Sequence, residues 1–175
     1  MKSHIVLICV LVAVLLVVAA LGLKWPFTQE NAGDAPQSSI GKAGSEHSHS
    51  SMLVFIRGEL FDFSKPEYQL KSPLVHFEDD DGTTVHKHAT GITLPYLFET
   101  LGMKLTLDCL EMPGRSYCTQ GNEALKIFVN QVPFNSKIVG YELRPGDKIL
   151  INYGSDSDFD LKLKLNSVPN LPNDL

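Results

Sequence analysis

Five of the six histidines fall between positions 47 and 88: His47, His49, His76, His86 and His88. Two pairs have H-x-H spacing. On a β-strand side chains alternate between faces, so His86 and His88 point to one side, roughly 7 Å apart at their Cα atoms, and both rings can meet one metal ion. His76 lies on a segment expected to pair with theirs across a turn at Asp81-Gly82, and it offers a third nitrogen. His47 and His49 enter from the preceding segment and close over the site. Imidazole suits zinc and copper, and thioether sulfur suits Cu(I). Met52, three residues after His49, completes an H-x-H-x-x-M run with both donor types. The expectation is a copper or zinc site with His86 and His88 at its centre, Met52 tilting the balance towards copper. The competing reading is incidental. An exposed H-x-H is often two polar residues facing water, and His76 beside Phe77 fits a hydrogen-bonded core histidine.

Other chemistry is thin. Glu78-Asp79-Asp80-Asp81 is contiguous, so alternate side chains point apart, as in a solvated turn. Asp156, Asp158 and Asp160 start like a calcium loop, but Leu161 and Ser167 stand where the loop glycine and the final glutamate belong, which excludes an EF-hand. The chain has no nucleophile elbow, phosphate-binding loop, dinucleotide fingerprint or zinc-protease helix motif. A formal charge of −5 without a basic stripe argues against a nucleic-acid partner.

The elements that position these residues begin with the anchor. Ile5–Leu23 carries no charge. A helix of about 20 residues crosses the roughly 30 Å hydrocarbon core of a bilayer, and in lipid a run of this kind must be helical to satisfy its backbone groups. Lys2 and His4 before it, and Lys24-Trp25 after it, are interface residues. A cleaved signal peptide has a shorter apolar core of about 7–15 residues and a small-residue cleavage site after it, whereas Ala19-Ala20 lies inside the run. Residues 1–25 therefore read as a retained single-pass anchor. Acidic Glu30 and Asp34 beyond it favour a cytoplasmic N-terminus and an extracytoplasmic domain at the cell membrane. A mean hydropathy of zero averages this helix with a polar remainder.

Of the three cysteines, Cys9 lies in the span, while Cys109 and Cys118 flank a turn at Pro113-Gly114. Strands folding back there bring the thiols to disulfide separation, which suits an oxidising compartment; two free thiols in a reducing one are the alternative. The spacing is not that of a C-x-x-C redox motif.

Residues 26–50 are polar and aperiodic and read as a flexible tether. The domain is expected over 51–154. Hairpins are predicted around Arg57-Gly58 and Asp81-Gly82. One packed helix follows at Thr93–Leu101, capped by Thr93 and ended by Gly102, its buried face formed by Leu94, Leu97, Phe98 and Leu101. Further strands end at Lys148–Tyr153. Residues 155–175 form a tail in which alternating Leu161, Leu163 and Leu165 suggest an edge strand or a frayed end. LVFIRGELFDF and LKIFVNQVPFN echo one another weakly. The fold class is α+β, mostly antiparallel, with one packed helix. The stretch from Leu125 through PGDKILINYG resembles the closing half of a β-grasp, ubiquitin-like domain such as a small sulfur carrier. Those carriers act through a C-terminal Gly-Gly, and here Gly154 is followed by SDSDFD.

The HKHATG motif at His86–Gly91 and FDFS at Phe61–Ser64, within a stretch from His47 to Gly154, resemble a family of membrane-anchored extracytoplasmic proteins of ammonia-oxidising archaea with distant actinobacterial relatives. The resemblance implies location and architecture and supplies no established activity. The function expected is a membrane-anchored metal-binding accessory module, with a non-catalytic interaction module of a membrane complex as the alternative.

Overall fold

The computed structural model describes residues 39–136 and 138–171. The anchor at 1–25, the tether up to residue 38 and the last four residues of the tail lie outside the described residues. Among the described residues no helix is long and apolar enough to cross a membrane.

Among the described residues the architecture is α+β, with mostly antiparallel sheets and two α-helices. In chain order the strands are β1 (Ser48–Ile56), β2 (Glu59–Leu60), β3 (Val75–His76), β4 (Thr84–Lys87), β5 (Lys104–Leu105), β6 (Cys109–Met112), β7 (Arg115–Cys118), β8 (Ala124–Val129), β9 (Val132–Pro133) and β10 (Lys148–Gly154). Helix α1 is Leu94–Thr100 and α2 is Asp158–Ser167. The main sheet runs β3-β4-β1-β10-β8-β9, with β2 paired to the far end of β1. Its central pair, β1 with β10, is parallel. A smaller sheet joins β5, β6 and β7.

Period-two alternation builds two cores on the two faces of the main sheet. Met52 and Val54 of β1 and Ile149 and Ile151 of β10 join the larger one, which α1 closes with Leu94, Leu97 and Phe98. Leu53 of β1, Phe128 of β8 and Leu150 of β10 point the other way, against Leu161 and Val168 of the α2 segment. Burying aliphatic side chains on both faces explains why β1 and β10 read as nearly continuous apolar runs.

Local signals hold in several places. Thr93 caps α1 by accepting from the Tyr96 N–H at 3.2 Å. Gly102 takes φ +72° just past the helix, where the backbone must turn left-handed. The hairpin of β1 and β2 turns on Arg57 and Gly58, both with positive φ, as a type I′ turn requires. Cys109 and Cys118 are directly opposed on β6 and β7, their Cα atoms 4.0 Å apart, and form a disulfide.

Three expectations change. The chain does not become ordered at residue 51: β1 starts at Ser48, and the preceding residues already pair with the domain, Gly41 N–H donating to Thr90 O at 2.9 Å and Gly44 N–H to His88 O at 2.7 Å. A serine-rich stretch has no apolar period to announce a strand, yet cross-strand hydrogen bonds are independent of side chain. The turn between β3 and β4 is not a two-residue Asp81-Gly82 turn. It spans residues 77–83 and places Asp79 and Asp80 at positive φ. Gly82 is needed there for another reason, since a Cβ would lie 2.8 Å from the backbone carbon of Phe63.

The tail holds a helix rather than an edge strand. Ser157 and Asp160 form a reciprocal capping box, and Leu161, Leu165 and Val168 follow at helical spacing against the sheet. The apparent alternation arises because Leu163 counts as apolar in the sequence but is 54% exposed.

Candidate metal centre

The histidines meet because sheet register carries each one to the same face. His86 of β4 pairs with His49 of β1 on one side and with His76 of β3 on the other. Directly paired residues share a face, so these three form a row across three strands. One period along, His88 and His47 flank the next register pair, Ser48 with Lys87, and stand on that same face. It is the face opposite Met52 and Val85, at the end of the sheet away from the apolar cluster under α2.

The five imidazoles form a closed circle. Ring centroids are 4.9 Å apart for His47–His49, 5.0 Å for His47–His88 and 5.0 Å for His88–His76. The circle closes through His76–His86 at 6.0 Å and His86–His49 at 4.5 Å. His49, His76 and His86 are buried, His88 is half-buried and His47 is exposed, so the circle opens to solvent on one side.

Several ring nitrogens have a defined neighbour. The His76 Nδ1–H donates to the Ser72 carbonyl at 2.7 Å. A carbonyl can only accept, so Nδ1 carries a proton; Nε2 faces the cluster, 3.1 Å from Oε2 of Glu78, and donates to it only when the ring is protonated on both nitrogens. The other carboxylate oxygen, Oε1, is 3.1 Å from Nδ1 of His86. Nε2 of His47 and Nε2 of His49 lie 3.2 Å apart, which without a metal requires one ring to donate to the other.

Electrostatics follow from crowding. Burial first, and then the neighbouring imidazoles, hold His86 and His88 below the ordinary histidine value, with Glu78 pulling partly the other way. Burial pushes the Glu78 carboxyl up, but the hydrogen bond from His76 and the charges of His86, His76 and His88 outweigh it, and its net shift is downward. The lowered values favour neutral rings at His86 and His88. That is the protonation state in which nitrogen binds a cation.

The opposite face of the same strands locks the segment that delivers His47. Lys87 Nζ is buried and reaches Glu46 Oε2 at 2.8 Å, Glu142 Oε1 at 3.1 Å and the Leu143 carbonyl at 2.7 Å. The Ser48 hydroxyl donates to the other Glu46 oxygen at 2.6 Å.

All five histidines singled out in the sequence come together. Met52 does not join them: it points into the opposite core and is fully buried, so the H-x-H-x-x-M run cannot act as one donor set. Glu78 is the residue that sequence reasoning missed. It sits two residues after His76, the spacing that carries a side chain to the same face if the strand continues, but it was absorbed into an acidic turn. Among the described residues no group of three or more His, Cys, Asp or Glu side chains stands ready to hold a metal ion. The donor atoms meet in pairs, and binding takes ring rotations within the circle.

Comparison with known proteins returned no match: no protein-family model, no curated protein and no solved structure is significantly similar to this chain.

Proposed function

We propose that this chain is a membrane-anchored, extracytoplasmic metal-binding module whose imidazole circle takes zinc or copper. The observation that carries the reading is the closed circle itself. Five imidazoles in mutual contact on one sheet face are costly to assemble as bystanders, because each buried polar ring needs a partner and protonating several at once sets like charges against one another. The Ser72 carbonyl bonded to His76 Nδ1 supports it further, since metal-binding histidines commonly donate their remote N–H in this way. With Met52 turned away, the donors are imidazole and carboxylate, a set that favours Zn(II) and Cu(II) over Cu(I).

The Cys109–Cys118 disulfide fits the oxidising side of a membrane, as does the charge asymmetry around Ile5–Leu23. The strand order, with a parallel pair of first and last strands at the centre and α1 across one face, supports reading the domain as β-grasp-like.

The test is the metal content of the full chain, produced without an affinity tag in an oxidising compartment. Near-stoichiometric zinc or copper, lost in His86→Ala/His88→Ala, is the expected result. A folded protein that cannot be loaded with either metal rejects the reading. The second reading, an interaction module, draws on Phe159 and Leu163, which stand one turn apart on α2 and are 69% and 54% exposed. Co-purification of a stable partner with a variant lacking all five histidines favours it.

A further inference from the structure

We propose that the circle holds two metal ions in subsites of different donor chemistry: His76, His86 and Glu78 over β3 and β4, and His47, His49 and His88 beside them. This inference rests on the metal-binding reading above and sets its stoichiometry and ligand sets.

The circle is too wide for one ion to bind all five rings. With metal–nitrogen bonds of about 2.0–2.1 Å, two imidazoles on opposite sides of an ion have centroids no more than about 6.5 Å apart. His76 and His49 stand two strands apart, roughly 9.5 Å at the backbone. The ring of His86 fills the space between them, 6.0 Å from one and 4.5 Å from the other. A single ion can bind some of these rings, but with His86 between His76 and His49 it cannot take all five.

Most separations between neighbours, by contrast, are close to those of ligands sharing an ion, while His76 and His86, 6.0 Å apart, must draw together on one. Tetrahedral coordination at these bond lengths sets nitrogens about 3.3 Å and ring centroids about 5 Å apart. His47 and His49 already have their Nε2 atoms 3.2 Å apart and their centroids 4.9 Å apart. His88 lies 5.0 Å from His47 and can supply a third nitrogen, giving an all-imidazole subsite. On the other side Glu78 reaches His76 Nε2 and His86 Nδ1 at 3.1 Å with different oxygens. That subsite has two nitrogens and a carboxylate, and its negative charge favours a divalent ion. The His88 ring also touches His76 at 5.0 Å, so the two ions are neighbours within one cluster.

The experiment strips the full-length, untagged protein with a chelator and reloads it with Zn(II) or Cu(II), reading the metal-to-protein ratio and, for copper, the electron paramagnetic resonance spectrum. The expected ratio is two, with a copper spectrum broadened by coupling between ions roughly one or two strand spacings apart. Glu78→Gln is expected to lower the ratio to one. His47→Asn, at an exposed position, is expected to do the same, and the double variant to lower it to zero, while far-ultraviolet circular dichroism remains that of the parent. A ratio of one in the parent, with both variants weakening that same ion, overturns the two-ion proposal and leaves the metal-binding reading standing. A folded protein that takes up no metal overturns both.

Discussion

His49 and His86 are register partners on β1 and β4, and their rings meet edge to face with centroids 4.5 Å apart. The pair joins two stretches that the sequence separates by a loop, two short strands and an acidic turn. It also fixes which face both H-x-H pairs share, because side-chain period two then carries His47 and His88 to the same side. A slip of one residue in this register would send His49 into the core and Ser48 or Ser50 into the cluster. The serines between the histidines suit the opposite side, where they are buried beside Lys87.

The pH dependence of the metal-free protein reads out the crowding of the imidazoles. His86 and His88 take a proton near 6.5 in the unfolded chain and only at lower pH in the fold. Between those values the unfolded chain binds more protons, so stability is full above about 6.5 and falls as pH drops through the folded values. Glu78, whose carboxyl is held below its ordinary 4.5, adds stability above that value which is lost on further acidification. Melting temperature measured without metal is expected to rise with pH up to about 6.5 and then level off. His86→Ala/His88→Ala is expected to flatten that rise, and a parent profile with no such rise would contradict the assignment.

Lys87 ties the segment before β1 to the domain from the face opposite the histidines. Lys87→Met keeps the aliphatic stem but leaves Glu46 and Glu142 facing each other without a cation. Because Glu142 is partly exposed, the expected loss is about 2–3 kcal/mol, below that for a fully buried pair, measured as a shift in denaturant midpoint. Zinc affinity is expected to fall as well, since the lysine holds Glu46, the neighbour of His47. Unchanged affinity with reduced stability would separate the clamp from the site.

The disulfide closes a short hairpin of the smaller sheet, on strands other than those that carry the histidines. Replacing Cys109 and Cys118 together by alanine is expected to cost roughly 2–3 kcal/mol through the added freedom of the unfolded chain. The metal ratio of the variant is expected to equal that of the parent. Mass spectrometry under non-reducing conditions checks the bond, and a free-thiol count of two on Cys109 and Cys118 would reject it.

Local chemistry was legible in the sequence. Thr93 and Gly102 bracket α1 because a cap and a left-handed stop act within a few residues. Pro113-Gly114 and the flanking cysteines specified their hairpin for the same reason, and the clustering of histidines flagged the residues of the circle without showing how they meet. Two features misread in the sequence failed because burial is a property of the whole fold. Leu163 looked like one of an alternating set, but only Leu161 and Leu165 face a sheet that the local sequence cannot reveal. Met52 looked like a ligand by spacing, yet strand parity turns it into the opposite core.

What the sequence by itself determined was the inventory: an apolar span at the N-terminus, a domain of strands with a capped helix, a cysteine pair and five histidines within reach of one another. What only the tertiary structure decided was which side of the sheet each residue occupies and which strands lie next to each other. Those follow from cross-strand register between segments far apart in the chain, set by the burial of β1 and β10 on both faces. That register closes the imidazole circle and brings Glu78 into it.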